Sequence, residues 1–211
     1  MNSFNDWPCY AETPSLTDTY VRILHASPDA PPVDIYANDN LIAKNRAYKQ
    51  FTNYVRVKPG EYTIQVYPTG QKTNPVIDTK VTVPQRSRFT VAAVGKLADI
   101  SLLPIMEASM KMVDERRSYI RFAHLSPNAP AVDITLPNGT KLFSDISYLQ
   151  YTDYMTVPPG NYTLQVKPTG SDQVVLTVPN VRLLPGTLYT VYAVGLVGET
   201  PPLEAIISVD E

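Results

Sequence analysis

The chain contains two histidines, and each introduces the same short run of residues that could do chemistry. His25 leads through Ser27 to Asp34 in H-A-S-P-D-A-P-P-V-D, and His124 leads through Ser126 to Asp133 in H-L-S-P-N-A-P-A-V-D. Serine, histidine and aspartate are the residue types of a hydrolytic triad, in which an imidazole takes the proton of a hydroxyl nucleophile. The spacing opposes that use, because side chains at i and i+2 do not converge while the chain stays extended, and no G-x-S-x-G elbow accompanies them. No second carboxylate recurs beside Asp34 at a spacing useful for general acid–base work. A metal site needs three or four convergent ligands, whereas each run offers one His and scattered carboxylates, and Asp29 of the first run is Asn128 in the second. A Gly-rich phosphate loop is also missing. The expectation is therefore no catalytic residue, no cofactor and no metal, with His25, Ser27, Asp34, His124, Ser126 and Asp133 forming a motif that is either structural or a binding site.

Strand phase weighs these alternatives. His25 shares a face with Val21 and Ile23, and His124 shares one with Ile120 and Phe122. A histidine ending an apolar strand face just before Ser-Pro is expected to hydrogen-bond the turn that follows; a ligand site or a proton-linked switch is the alternative. Arg22 and Arg121 face away from that apolar side, and Asp34 and Asp133 face away from their own apolar neighbours. If the two strands are neighbours, Arg and Asp can pair across them. Tyr48, Tyr54, Tyr148 and Tyr154 are either strand-forming residues with hydroxyls at the rim or an exposed platform for a sugar or a protein.

These residues sit in a module written twice. V-R-I-L-H-A-S-P-D-A-P-P-V-D-I (21–35) returns as I-R-F-A-H-L-S-P-N-A-P-A-V-D-I (120–134). Y-K-Q-F-T-N-Y returns as Y-L-Q-Y-T-D-Y, and V-K-P-G-E-Y-T-I-Q-V-Y-P-T-G as V-P-P-G-N-Y-T-L-Q-V-K-P-T-G. Period-two alternation marks half-buried antiparallel strands, as in Tyr62, Ile64 and Val66, with Tyr62 and Tyr162 expected to be buried and hydroxyl-bonded. Pro59-Gly60 and Pro159-Gly160 suit the middle of a type II turn, and Asn138-Gly139 suits a hairpin. F-T-V-A-A-V-G and Y-T-V-Y-A-V-G are apolar on both faces and read as central strands. About seven or eight short strands per half, at the spacing of a sandwich or barrel, make the chain all-β.

Composition agrees with two small domains. The 211 residues are 44% hydrophobic and 18% charged, which suits globular modules of about 90 residues each. We expect a mobile N-terminal tail at 1–18, modules at 19–104 and 119–211, and a Met-rich linker at 105–118. A net charge of -2 without a basic stripe argues against nucleic acid. Cys9 is the single cysteine, which excludes an intrachain disulfide and reads as an incidental thiol. No apolar run suits a transmembrane helix, and the first residues lack a signal-peptide pattern, so a cytoplasmic protein, or one packaged into a cell-made surface layer, is expected.

The His-x-Ser-Pro-x-Ala-Pro-x-Val-Asp stretches at His25–Asp34 and His124–Asp133, the Pro-Gly-x-Tyr strands at 59–62 and 159–162, and the Val-Gly pairs at 94–95 and 194–195 resemble the bacterial domain-of-unknown-function family 4397. The resemblance covers nearly all of residues 19–209. It implies an immunoglobulin-like or transthyretin-like antiparallel β-sandwich, twice, and no activity. Many members of the family look like surface or secreted proteins with signal peptides, a point from which this sequence departs. The expected role is a non-enzymatic structural or protein-interaction module, set in a cell-envelope or spore-surface assembly, with a protein partner or self-assembly. A carbohydrate-binding module using the tyrosines is the alternative, disfavoured because the only tryptophan, Trp7, lies in the tail.

Overall fold

The computed structural model of the chain describes residues 19–107 and 113–210. The expected tail at 1–18, with Cys9 and Trp7, and the middle of the expected linker lie outside the described residues. Two units divide the chain, Met1–Glu107 and Ala108–Glu211. No helix of the described residues is long and apolar enough to cross a membrane.

Among the described residues the first unit holds eight strands: β1 (Thr19–His25), β2 (Val33–Ala37), β3 (Asn40–Arg46), β4 (Val55–Val57), β5 (Gly60–Pro68), β6 (Ile77–Val83), β7 (Arg88–Val94) and β8 (Ser101–Met106). The second repeats them: β9 (Ser118–His124), β10 (Val132–Thr135), β11 (Lys141–Ile146), β12 (Met155–Val157), β13 (Gly160–Pro168), β14 (Leu176–Leu183), β15 (Thr187–Val194) and β16 (Glu204–Asp210). Each unit is a sandwich of two four-stranded sheets. The orders are β4-β1-β7-β8 over β3-β2-β5-β6, and β12-β9-β15-β16 over β11-β10-β13-β14. The sheet of the first unit runs past residue 104, since Ile105 in β8 is fully buried.

One pairing in each unit is parallel, β1 with β7 and β9 with β15. Parallel neighbours need a long crossover, and here the other sheet of the sandwich supplies it. The remaining pairings are antiparallel, as the alternation requires. Asn38 and Asp39 both have positive φ, the signature of a two-residue type I′ hairpin. In the second copy Pro137 cannot adopt that conformation, and the turn is made with Gly139 at φ 85.

Two local expectations are corrected. Gly60 has φ 151, far from the value near +80° of a type II turn, because it opens β5 and pairs with Val83 of the edge strand. Tyr62 and Tyr162 are half-buried rather than buried. Their hydroxyls donate to the carbonyls of Lys58 (2.9 Å) and Pro158 (2.7 Å), so each ring clips its own Pro-Gly approach.

The inner faces form the cores. In the second unit Ile120, Phe122, Ile134, Leu164, Val181 and Leu183 belong to one continuous cluster. In the first unit Val21, Val57, Val83, Phe89 and Val91 form one cluster and Val33, Ile35, Ala43, Val66 and Ile77 another, with the half-buried Leu102 packed against both.

Gly195 follows β15 at φ 85, and a Cβ there would lie 2.0 Å from the carbonyl oxygen of Pro202. Gly170 has φ 78 but open space around it. Gly170→Ala should therefore cost only the left-handed backbone penalty of about 1–2 kcal/mol. Gly195→Ala should cost clearly more, because backbone must also move; equal urea midpoints for the two variants would contradict this packing.

Candidate functional site

The motif residues lie where β1 and β9 end and the chain crosses from one sheet to the other. The Nε2 of His25 donates to the carbonyl of Pro31 (3.1 Å), and that of His124 to the carbonyl of Pro130 (3.0 Å). A carbonyl can only accept, so each Nε2 carries the proton and each Nδ1 is a bare acceptor. Both Nδ1 atoms are buried without a hydrogen-bond partner among the described residues. The rings meet Tyr48 and Tyr148 edge-on, with centroids 6.5 and 6.3 Å apart. Burial pushes both imidazoles below the ordinary histidine value, opposed only in part by the proline carbonyls.

Serine and histidine do not work together here. Ser126 Oγ donates to the carbonyl of Gly195 (2.7 Å), and His124 is committed to Pro130. Ser27 is fully buried, and its Oγ has no partner among the described residues. The exchange of Asp29 for Asn128 has a structural reason. Each side-chain oxygen accepts the amide of the residue two after the Val-Gly strand end, Leu97 at 2.7 Å and Val197 at 2.8 Å. An acceptor is required there, and either residue type provides it.

The expected Arg–Asp pairs do not form, because β1 and β2 belong to different sheets, as do β9 and β10. Asp34 caps irregular backbone instead. It accepts the amides of Asn45 (2.8 Å) and Gly70 (3.0 Å) and the hydroxyl of Thr69 (3.3 Å). Asn45, at φ 52, lies where the β2–β3 register shifts, so the carboxylate holds a bulge. Asp133 does the same with the amide of Asp145 (2.8 Å) and adds Lys141 Nζ at 2.7 Å. The Lys141 ammonium and that amide hold its carboxyl below the ordinary aspartate value.

Arg22 and Arg121 find other acids. Arg22 Nε donates to Thr90 Oγ1 (2.8 Å), Thr90 donates to Glu107 (2.8 Å), and the guanidinium lies 3.5 Å from the same carboxylate. Tyr54 donates to the second Glu107 oxygen at 2.6 Å. Phe51 and Tyr54 cover the guanidinium, at 5.0 and 4.6 Å from their ring centroids. The second unit repeats the cluster with Arg121, Thr190, Asp210, Tyr151 and Tyr154. Arg121 and Asp210 are 3.7 Å apart, and both side chains are only 2% exposed. Burial, and then the Asp210 charge, push the Tyr154 phenol well above its ordinary range.

Glu107 and Asp210 were missed in the sequence, Glu107 because it falls in the expected linker. A signal was present: an arginine in V-R-I or I-R-F, in a strand buried on both faces, demands a carboxylate, and an acid follows the last strand of the first copy and ends that of the second. The four tyrosines considered as a platform are half-buried. Tyr54 and Tyr154 lie in the arginine clusters, and Tyr48 and Tyr148 lie against the histidines. The geometry holds loops and strands together; the motif serines and histidines are not brought within hydrogen-bond reach of each other. Among the described residues no group of three or more His, Cys, Asp or Glu could hold a metal ion.

Comparison with known proteins adds a family. The family described as "Domain of unknown function (DUF4397)" matches residues 19–135 and again 118–211. No curated protein matches the sequence. Among solved structures, CBMbc (family CBM26) from Eubacterium rectale Amy13K in complex with maltoheptaose is 11% identical, with a TM-score of 0.29 over 91% of this chain and 96% of that one. The Bacillus anthracis TIE protein is 12% identical, with a TM-score of 0.23 over 87% of this chain and 33% of that one. A candidate cell adhesion protein from Bacteroides fragilis is 10% identical, with a TM-score of 0.22 over 90% and 96%. Likenesses this distant carry no argument about binding.

The histidines make a pH prediction. Their folded-state values lie below the unfolded value of about 6.5, so the unfolded chain binds more protons between the two. Stability should be full above about pH 6.5 and fall as pH drops through that window. Urea midpoints measured across it should decline for the native chain and stay level for the His25→Ala/His124→Ala variant. Each single alanine should also cost about 1–3 kcal/mol at neutral pH, from polar groups left unsatisfied. A level profile in the native chain would contradict the buried neutral rings.

Proposed function

The chain belongs to the DUF4397 family, whose match it carries twice, and from that membership and its geometry we propose a non-enzymatic module of structural or protein-interaction type. Its setting is an assembly such as a cell-envelope or spore-surface layer, and its partner is another protein or a further copy of itself. One observation supports this above others: the histidines, motif aspartates and buried arginines are bonded to their own fold, with equivalent partners in both copies. Each imidazole serves a proline carbonyl, each motif aspartate a bulge amide, and each buried arginine a threonine and an acid. Catalysis needs a group free to exchange a proton with a substrate, and recognition by these residues would first require breaking bonds that hold the loops. A guanidinium covers one face of Tyr54 and of Tyr154, where a sugar would stack.

The test is a capture experiment with the immobilised full chain in native lysate, followed by a glycan array at the same concentration. A defined protein, or the chain itself, should be retained and the array should stay blank. Saturable binding of an oligosaccharide with no protein retained would move the chain to the carbohydrate binders. Turnover of an ester, peptide or glycoside that Ser126→Ala abolishes would overturn the non-enzymatic assignment.

A further inference from the structure

The two units share a fold but fill it differently. Register identifies equivalent inner positions: Val21 and Ile120 oppose Phe89 and Tyr189, while Ile23 and Phe122 oppose Val91 and Val191. Val55 and Met155 oppose Val21 and Ile120, and Val83 and Leu183 oppose Gly60 and Gly160. At all four positions the first unit has the smaller side chain. Leu102 and Met106, which stand where the second unit has Ala205 and Val209, go the other way.

The missing volume is visible. Val181, Leu183 and Val191 are 1–2% exposed, whereas Val83 and Val91 are 7% and 8% exposed and Val81 is half-buried. Between the sheets of the first unit lies a cavity of about 50 Å³, walled by aliphatic and aromatic side chains. An outer cleft of about 680 Å³ runs between β6 and β8. Val81, Phe89, Val91 and Leu102 line both, so the cavity and the cleft lie on opposite sides of the same side chains.

We propose that this slot binds one aliphatic chain, that of a free fatty acid or a similar single-chain amphiphile. The proposal goes beyond the interaction role above and does not depend on it. The wall chemistry selects the ligand. The one hydroxyl on the inner wall, that of Tyr62, is bonded to Lys58, so a buried polar atom would find no partner. A peptide backbone is excluded on that ground, and apolar cavities of this kind do not favour water. The inner cavity takes its end and the cleft takes the remainder. Thr82 and Ser101 at the cleft, with Lys80 paired to Glu61 and Asp78 bonded to Gln65 beside them, give it a polar rim.

The experiment titrates the full chain with parinaric acid, followed by fluorescence, and displaces it with octanoic, dodecanoic and hexadecanoic acids. One equivalent should bind per chain, and displacement should strengthen by about three- to fourfold per methylene until the slot is full. Giving the slot the second unit's residues, as Ile23→Phe/Val83→Leu, should weaken binding by at least about tenfold without lowering the melting temperature. Should that variant melt early, Val83→Leu alone supplies the same comparison. Phe122→Ile in the second unit should leave the affinity unchanged. No binding of any acid, two equivalents per chain, or equal affinity in the filled variants would overturn the proposal. Phosphatidylcholine vesicles free of fatty acid distinguish the other source of such chains. The protein should stay in the supernatant, and sedimentation without fatty-acid binding would replace the slot by a bilayer contact.

Discussion

A guanidinium held inside a sandwich wall must be neutralised where it lies. Arg22 and Arg121 sit in strands buried on both faces, and removing such a charge from water costs several kcal/mol unless a carboxylate and further hydrogen bonds accompany it. That demand reaches three separate stretches of each copy. It draws in the acid after the last strand face, the threonine of the central strand and the aromatic residues before β4 or β12. The bonds at Glu107 and Asp210 therefore bring β8 and β16, β7 and β15, and the tyrosine segment onto the opening strand. Replacing the whole cluster by apolar residues could be neutral or favourable, so its effect is on which strands lie side by side as much as on stability.

The sheet crossings have a related logic. After His25 and His124 the prolines supply no amide donors, and the carbonyls of the loop need partners from elsewhere. The imidazole meets that need at Pro31 or Pro130, while Asp29 or Asn128, and Ser126 in the second copy, tie the loop to the chain just after β7 or β15. Asp34 and Asp133 then hold the first bulge after the crossing. Neutral imidazoles are the form this arrangement accepts, which makes mild acid the condition under which the crossings loosen.

The fold was legible because its signals are local. Period-two alternation and the apolar runs at 89–95 and 189–195 each describe one strand, and about seven or eight strands per copy follow from them. The assignment of strands to sheets is not local. Arg22 and Asp34 stand close in sequence and face the right way to pair, yet the loop between them carries the chain to the other sheet. The carboxylate that Arg22 uses, Glu107, lies beyond the last strand in a stretch whose charge and methionines read as linker. Pro59-Gly60 failed for a similar reason: ladder pairing with Val83 decided the conformation, overriding the turn preference of the dipeptide. The role of each histidine could be framed from strand phase, but the identity of its acceptor needed the loop's path.

The central claim is that the polar residues of the repeat hold strands in place, and a double-mutant cycle on Arg121 and Asp210 tests it most directly. Urea unfolding of Arg121→Met, Asp210→Leu and the double variant gives the coupling between them. Each single change leaves a buried charge without its partner and should cost about 3–5 kcal/mol, while the double change should cost far less than their sum. Singles within about 0.5 kcal/mol of the native chain, adding without coupling, would mean that the cluster is incidental to the fold.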